Sequence, residues 1–158
     1  MKKSKLQKGD IHFSFFERLQ SVETDHRSLV LVTHGFVELL INAIVDHKCK
    51  HGRKITSNTR DYPHAVKLVL LYELGLIDVR LYKILDWFRS LRNRAAHDPF
   101  FSLDAGDFQF LRGSMDRFIP ERSAGNEPSR FCMYLIGSIW NMHLDLMQET
   151  FYRDSGKG

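Results

Sequence analysis

Apolar residues recur along this chain at spacings of three and four, the period of an α-helix, and no stretch alternates as a strand would. Residues 12–20 (HFSFFERLQ) read as a short amphipathic helix. Thr24 or Asp25 then offers an N-cap for a long helix running to about His47. Leu29, Val32, Thr33, Phe36, Leu40, Ala43 and Ile44 share one face of it, Val30, Val37 and Ile41 widen that face, and Glu38, Asn42 and Asp46 form a polar line. So broad an apolar face predicts a central helix touched by several neighbours.

Residues 48–61 are polar and aperiodic and read as a loop. Pro63 falls in the first turn of the next helix, which runs to Leu74, with Gly75 as its terminator. Asp78 caps a fourth helix from Val79 towards Ala96, which Pro99 ends near His97. The segment 100–126 is mixed, with one helical stretch over 107–118, and Pro128 and Ser129 open a last long helix reaching about Tyr152. The expectation is an all-α, up-and-down bundle of four principal helices plus short accessory helices. Residues 10–153 form its single domain, between a flexible basic N-terminus (1–9) and a flexible C-terminus (154–158).

Composition agrees with one domain: 158 residues, 43% hydrophobic and 27% charged, suffice for one core. They leave no room for a separate cofactor domain, and no cofactor is expected. Two cysteines, Cys49 and Cys132, are too few for a secreted disulfide framework. The lysine-rich opening MKKSKLQKG is followed by no apolar run, unlike a secretory signal. The most apolar stretch, 29–45, is interrupted by His34, Glu38 and Asn42, so no membrane-spanning segment is expected and the location is read as cytoplasmic. The net charge of +4 permits anion or nucleic-acid binding without arguing strongly for it.

The fourth helix holds the anomaly. Ile84, Leu85, Phe88, Leu91 and Ala95 lie within about 80° of Leu81, and Arg92 falls at about 20°, in the middle of that stripe. A guanidinium directed into a core costs several kcal/mol unless it is paired. Either it pairs with Glu38, Asp25 or Asp86, or it lies at the rim of a crevice and binds phosphate. Asn93 and His97, four apart, share a face. Arg92 and His97 are about 140° apart, so they converge only if the backbone turns at Asp98-Pro99 or if a second subunit completes the site. Metal-independent RNA cleavage would need little else: an imidazole for proton transfer and a forked cation against phosphate. Asn93 would orient them, and a dimer would supply the second proton-transfer group.

The run Leu91-Arg92-Asn93-Arg94-Ala95-Ala96-His97 resembles the R-N-x-x-x-H signature of the HEPN superfamily. Residues 23–27 (ETDHR) with the apolar helix after them, and residues 70–77 (LLYELGLI), are similar to its mannitol-repressor-like branch, so the resemblance spans about 16–99. It implies a HEPN-like bundle and an endoribonuclease of toxin–antitoxin or other defence type, acting as a homodimer on RNA. Arg92, His97 and Asn93 would be its catalytic residues, and a protein regulator or antitoxin a partner. The mannitol-repressor branch implies instead a non-catalytic regulator acting through protein contacts. A third reading is a nucleotide-sensing or RNA-binding module without turnover. No helix-turn-helix spacing, zinc ligands or basic zipper helix is present in the sequence, so direct sequence-specific DNA binding is not expected. HEPN toxins silenced by nucleotidyl transfer carry Tyr two residues after the His, where this chain has Pro99.

Arg89, Arg92 and Arg94 together are a local candidate phosphate site. The loop cations Lys48, Lys50, Arg53, Lys54 and Arg60 either hold a phosphate backbone or are simply solvated. His47 and His51 flank Cys49 but read as polar loop residues, and no metal site is expected. His34 faces solvent or a neighbour, and His143 either is a satisfied interhelical residue or lines the cleft. Phe13, Phe15 and Phe16 cover one end of the bundle or meet a second subunit. Leu135, Ile139, Met142 and Leu146 form the packing face of the last helix.

Overall fold

A computed structural model describes residues 11–115 and 127–152, apart from the side chains of residues 11–13. Eight helices account for its regular structure, and no strand occurs among the described residues: α1 Ile11–Val22, α2 His26–Lys48, α3 Gly52–Ser57, α4 His64–Glu73, α5 Val79–His97, α6 Ala105–Ser114, α7 Glu127–Met142 and α8 Leu144–Tyr152. The all-α bundle is as expected; the number of helices is larger. Both expected flexible tails lie outside the described residues, as do Phe13's side chain and the end of the helical stretch expected over 107–118.

The cap chemistry sets the helix starts. Asp25 accepts from the Arg27 N–H and from the Ser28 hydroxyl to open α2. Asp78 accepts from the Leu81 N–H to open α5. Gly75, at φ +66°, occupies the left-handed position that ends α4.

α2 is the central helix, packed against α1, α3, α4, α5, α7 and α8. Leu29, Val30, Val37, Leu40, Ile41, Ala43, Ile44 and Val45 are buried, whereas Val32 and Phe36 are only partly so. Its length and composition would suffice to cross a bilayer; here most of its apolar residues are buried against the other helices, while Leu39 is exposed. On α5, Leu81, Ile84, Leu85, Phe88, Leu91 and Ala95 are all buried, which follows the stripe in the sequence. Phe15 is buried edge-on to Phe36, with centroids 4.4 Å apart, while Phe16 is 45% exposed.

Three local expectations need correction. The loop over 48–61 contains α3, held against the end of α2 by the close approach of Gly52; a Cβ there would collide with the Val45 carbonyl oxygen. The mixed segment is helical from Ala105, because Asp104 and Asp107 form a reciprocal capping box. The last helix is broken at His143, which leaves the helical path and donates from Nε2 to the Leu76 carbonyl at 2.7 Å. Leu135 and Ile139 are buried on α7, but Met142, just before the break, is 40% exposed.

Candidate functional site

The C-terminal end of α5 is shaped by one carboxylate. Asp98 caps the helix, its own N–H bonding the Arg94 carbonyl, and its side chain accepts from the Phe100 N–H at 2.9 Å. Pro99 then carries the chain away, leaving Phe100 90% exposed. The resulting open groove is lined by Ser90, Asn93, Arg94, His97 and Asp98. Asn93 and His97 meet there because residues four apart in a helix share a face.

Arg92 does not line that groove. Its half-buried side chain acts electrostatically on His34 of α2 and His64 of α4, and the turn at Asp98-Pro99 follows His97 without bringing Arg92 and His97 into one groove within a single chain. One contact ties Arg92 to a residue of the groove: its Nη1 donates to Asn93 Oδ1 at 3.2 Å. None of the three suggested carboxylates forms an ion pair with Arg92. Asp86 holds Arg89 at 2.9 Å, Asp25 caps α2, and Glu38 acts on His34.

The other two arginines of the motif are engaged. Arg94 makes a forked pair with Asp107, both bonds 3.0 Å long, and lies 3.7 Å from Asp104. Hydrogen bonding by Asp107, then its charge and that of Asp104, raise the Arg94 pKa against a smaller burial penalty. Since the Asp107 carboxylate also accepts from the Asp104 N–H, Arg94 fixes the start of α6 to the end of α5. The fork offered to phosphate in the sequence is therefore occupied by Asp107. Arg89 is similarly bound through Nε and Nη2 to Asp86. A cation absent from the sequence-based set, Arg27 of α2, donates to the Ala96 carbonyl at 3.4 Å and so reaches the same helix end.

A second polar cluster was not anticipated. His34 is 5% exposed, and its ring centroid lies 4.8 Å from that of His64. Burial lowers the His34 pKa, and the Arg92 and Arg89 charges add to this against an opposing effect of Glu38. Burial likewise takes His64 down to about 3, helped by His34, Lys67, Arg89 and Arg92. Lys67, only 1% exposed, donates to Asn42 Oδ1 at 2.8 Å. No histidine signal on α2 alone could reveal this, because the partner is the first residue of a different helix.

Elsewhere, burial raises the Cys49 pKa and takes Cys132 to about 12, so neither is a ready nucleophile. Lys48, Lys50, Arg53, Lys54 and Arg60 are all exposed. His47 Nδ1 bonds the Ala43 carbonyl at 2.8 Å, and no three His, Cys, Asp or Glu side chains among the described residues are grouped to hold a metal ion.

Compared with known proteins, the chain matches no family model, no curated protein and no solved structure.

Proposed function

We propose that the protein is a metal-independent endoribonuclease of HEPN type, acting as a homodimer. The observation that carries this reading is the state of Arg92. It is a half-buried guanidinium, close to an exposed histidine in sequence, with no carboxylate at ion-pair distance among the described residues. Every other arginine of the motif has one. A structural arginine in an apolar stripe would be expected to have an acid partner; a phosphate ligand would not.

In this reading His97 takes the proton from a ribose 2′-hydroxyl, and the oxygen attacks the adjacent phosphorus. The bond to the 5′-oxygen breaks, a protonated imidazole supplies that oxygen with its proton, and the product ends in a 2′,3′-cyclic phosphate. Arg92 holds the charge on the phosphoryl oxygens, and Asn93, bonded to Arg92 and lining the groove with His97, positions the two. The second subunit brings the second histidine and narrows the gap between Arg92 and His97. Phosphate contacts rest on Arg92, since Arg94 and Arg89 are held by carboxylates.

The test is cleavage of a labelled mixed-sequence RNA in EDTA by wild type, Arg92→Ala and His97→Ala. Cyclic-phosphate products from wild type alone, with both variants folded, support the assignment. Silence from all three, or equal cutting by all three, refutes it.

A non-catalytic regulatory protein of mannitol-repressor type is the second reading, favoured by a different observation. Val66, Val69, Tyr72, Leu74 and Val79 are each 39–52% exposed on and just after α4, an apolar row suited to a protein contact. Silence in the RNA assay with a folded protein would favour this reading.

A further inference from the structure

Helices α2, α4 and α5 pack against one another, and where they meet the core turns polar. α2 contributes His34, whose buried Nε2 has no hydrogen-bond partner among the described residues. α4 contributes His64, both of whose ring nitrogens are buried and likewise without one. One turn further along α4 is Lys67, almost wholly buried, which meets an amide oxygen and, among the described residues, no carboxylate. α5 contributes Arg89 and Arg92, close enough to act on both imidazoles. Buried polar atoms are nearly always satisfied, so an unpartnered imidazole N–H beside a buried lysine calls for an acceptor.

The charges identify its sign. Facing the two imidazoles are Lys67, Arg89 and Arg92, against Glu38 on α2 and Asp86, which is held by Arg89. A metal cation would find two nitrogen ligands and three like charges. An anion would find donors on three helices, and His64 is the first residue of α4, at that helix's positive pole. A tetrahedral oxyanion offers acceptors in all these directions, and arginine forks match phosphoryl oxygens.

We propose that the His34–His64–Lys67 cluster binds a phosphoryl oxyanion, either free phosphate or the end group of a phosphomonoester, at a site separate from the His97 groove. The ring nitrogens are closed off from solvent, but His64 as a whole and Arg92 are only half-buried, so the site lies one side chain below the surface. Entry requires the His64 ring to swing outward from its helix start.

The full chain is titrated with inorganic phosphate and, in a second arm, with glycerol 1-phosphate, by calorimetry and by melting temperature. Histidine ring NMR on the wild type is recorded in parallel. Binding of phosphate alone assigns a free ion, and binding of the ester assigns an end group. Either supports the site if His34→Gln and Lys67→Met weaken it about tenfold or more while His97→Ala does not. If a variant fails to fold, the wild-type spectra decide: the His34 and His64 ring signals must move on titration. Absence of binding at millimolar concentrations of both probes overturns the proposal. So does binding that leaves those two signals unmoved, or that folded His34 and Lys67 variants retain in full.

Discussion

His64 makes a quantitative demand on how stability varies with pH. Unfolded, its imidazole takes a proton near 6.5; folded, burial followed by the charges of His34, Lys67, Arg89 and Arg92 delays this to about 3. The neutral ring therefore contributes stability that is fully present above pH 6.5. It is lost as the pH falls from there towards 3, because only the unfolded chain binds the proton in that window. Two units into the window, at about pH 4.5, the loss is about 3 kcal/mol at about 1.4 kcal/mol per unit. For a domain of this size that lowers the melting temperature by about 6–12 °C. Carboxylates such as Asp25, held low first by the Ser28 hydroxyl, also weaken the fold in acid, so the comparison must be differential. In phosphate-free buffer, urea unfolding of wild type and His64→Gln is followed from about pH 7.5 to 4.5. Wild type should lose about 3 kcal/mol more than the variant across that range. Parallel curves would mean that His64 is protonated in the fold as readily as in the open chain, and the burial argument would be refuted.

Three further outcomes follow from local packing. Asp107→Ala removes both the α6 capping box and the forked partner of Arg94; a loss of about 2–4 kcal/mol is expected, and a double-mutant cycle with Arg94→Ala should show about 1 kcal/mol of coupling or more. Gly52→Ala sets a Cβ against the Val45 carbonyl and the Asp46 backbone, so chemical denaturation should reveal a loss of about 1–3 kcal/mol, and an unchanged midpoint would contradict the close approach. Arg92→Leu places an apolar side chain in an apolar stripe and removes a cation that has no carboxylate partner among the described residues; stability in thermal unfolding should rise by about 1 kcal/mol while RNA cleavage is lost. A destabilised Arg92→Leu would mean that the arginine is structural after all.

What the sequence made legible, and what it did not, divides by the range of the interactions involved. The cap of α2, narrowed to Thr24 or Asp25, the stop at Gly75 and the end of α5 at Pro99 are decided by a residue and its immediate neighbours, and were readable to that extent. The buried stripe of α5 was readable because helical periodicity alone sorts Leu81, Ile84, Leu85 and Phe88 to one side. α3 was not, since its six residues have no period to detect, and Gly52, which looks like a loop residue, is there to let two backbones touch. The break at His143 depends on the carbonyl of Leu76, 67 positions away, and a continuous apolar face conceals it.

The candidate site follows the same division and takes it one step further. Arg92 stood out because a charge in an apolar stripe is visible within one helix, and Asn93 and His97 were paired by simple i, i+4 spacing. The fate of the neighbouring cations was hidden, because Asp107 reaches Arg94 only once α6 folds back on α5. His34 was hidden for the same reason: its position on α2 left solvent and a neighbour equally open, and only the start of α4 decides between them. Arg92 bonds Asn93 of the outer groove through Nη1 while its charge lowers the proton affinity of His34 and His64 within. An anion held by those histidines would draw on the same guanidinium that a scissile phosphate would use. The two sites would then compete for Arg92, and phosphate at the inner one should weaken RNA cleavage at the outer. His34→Gln should relieve that inhibition without restoring any activity lost in His97→Ala.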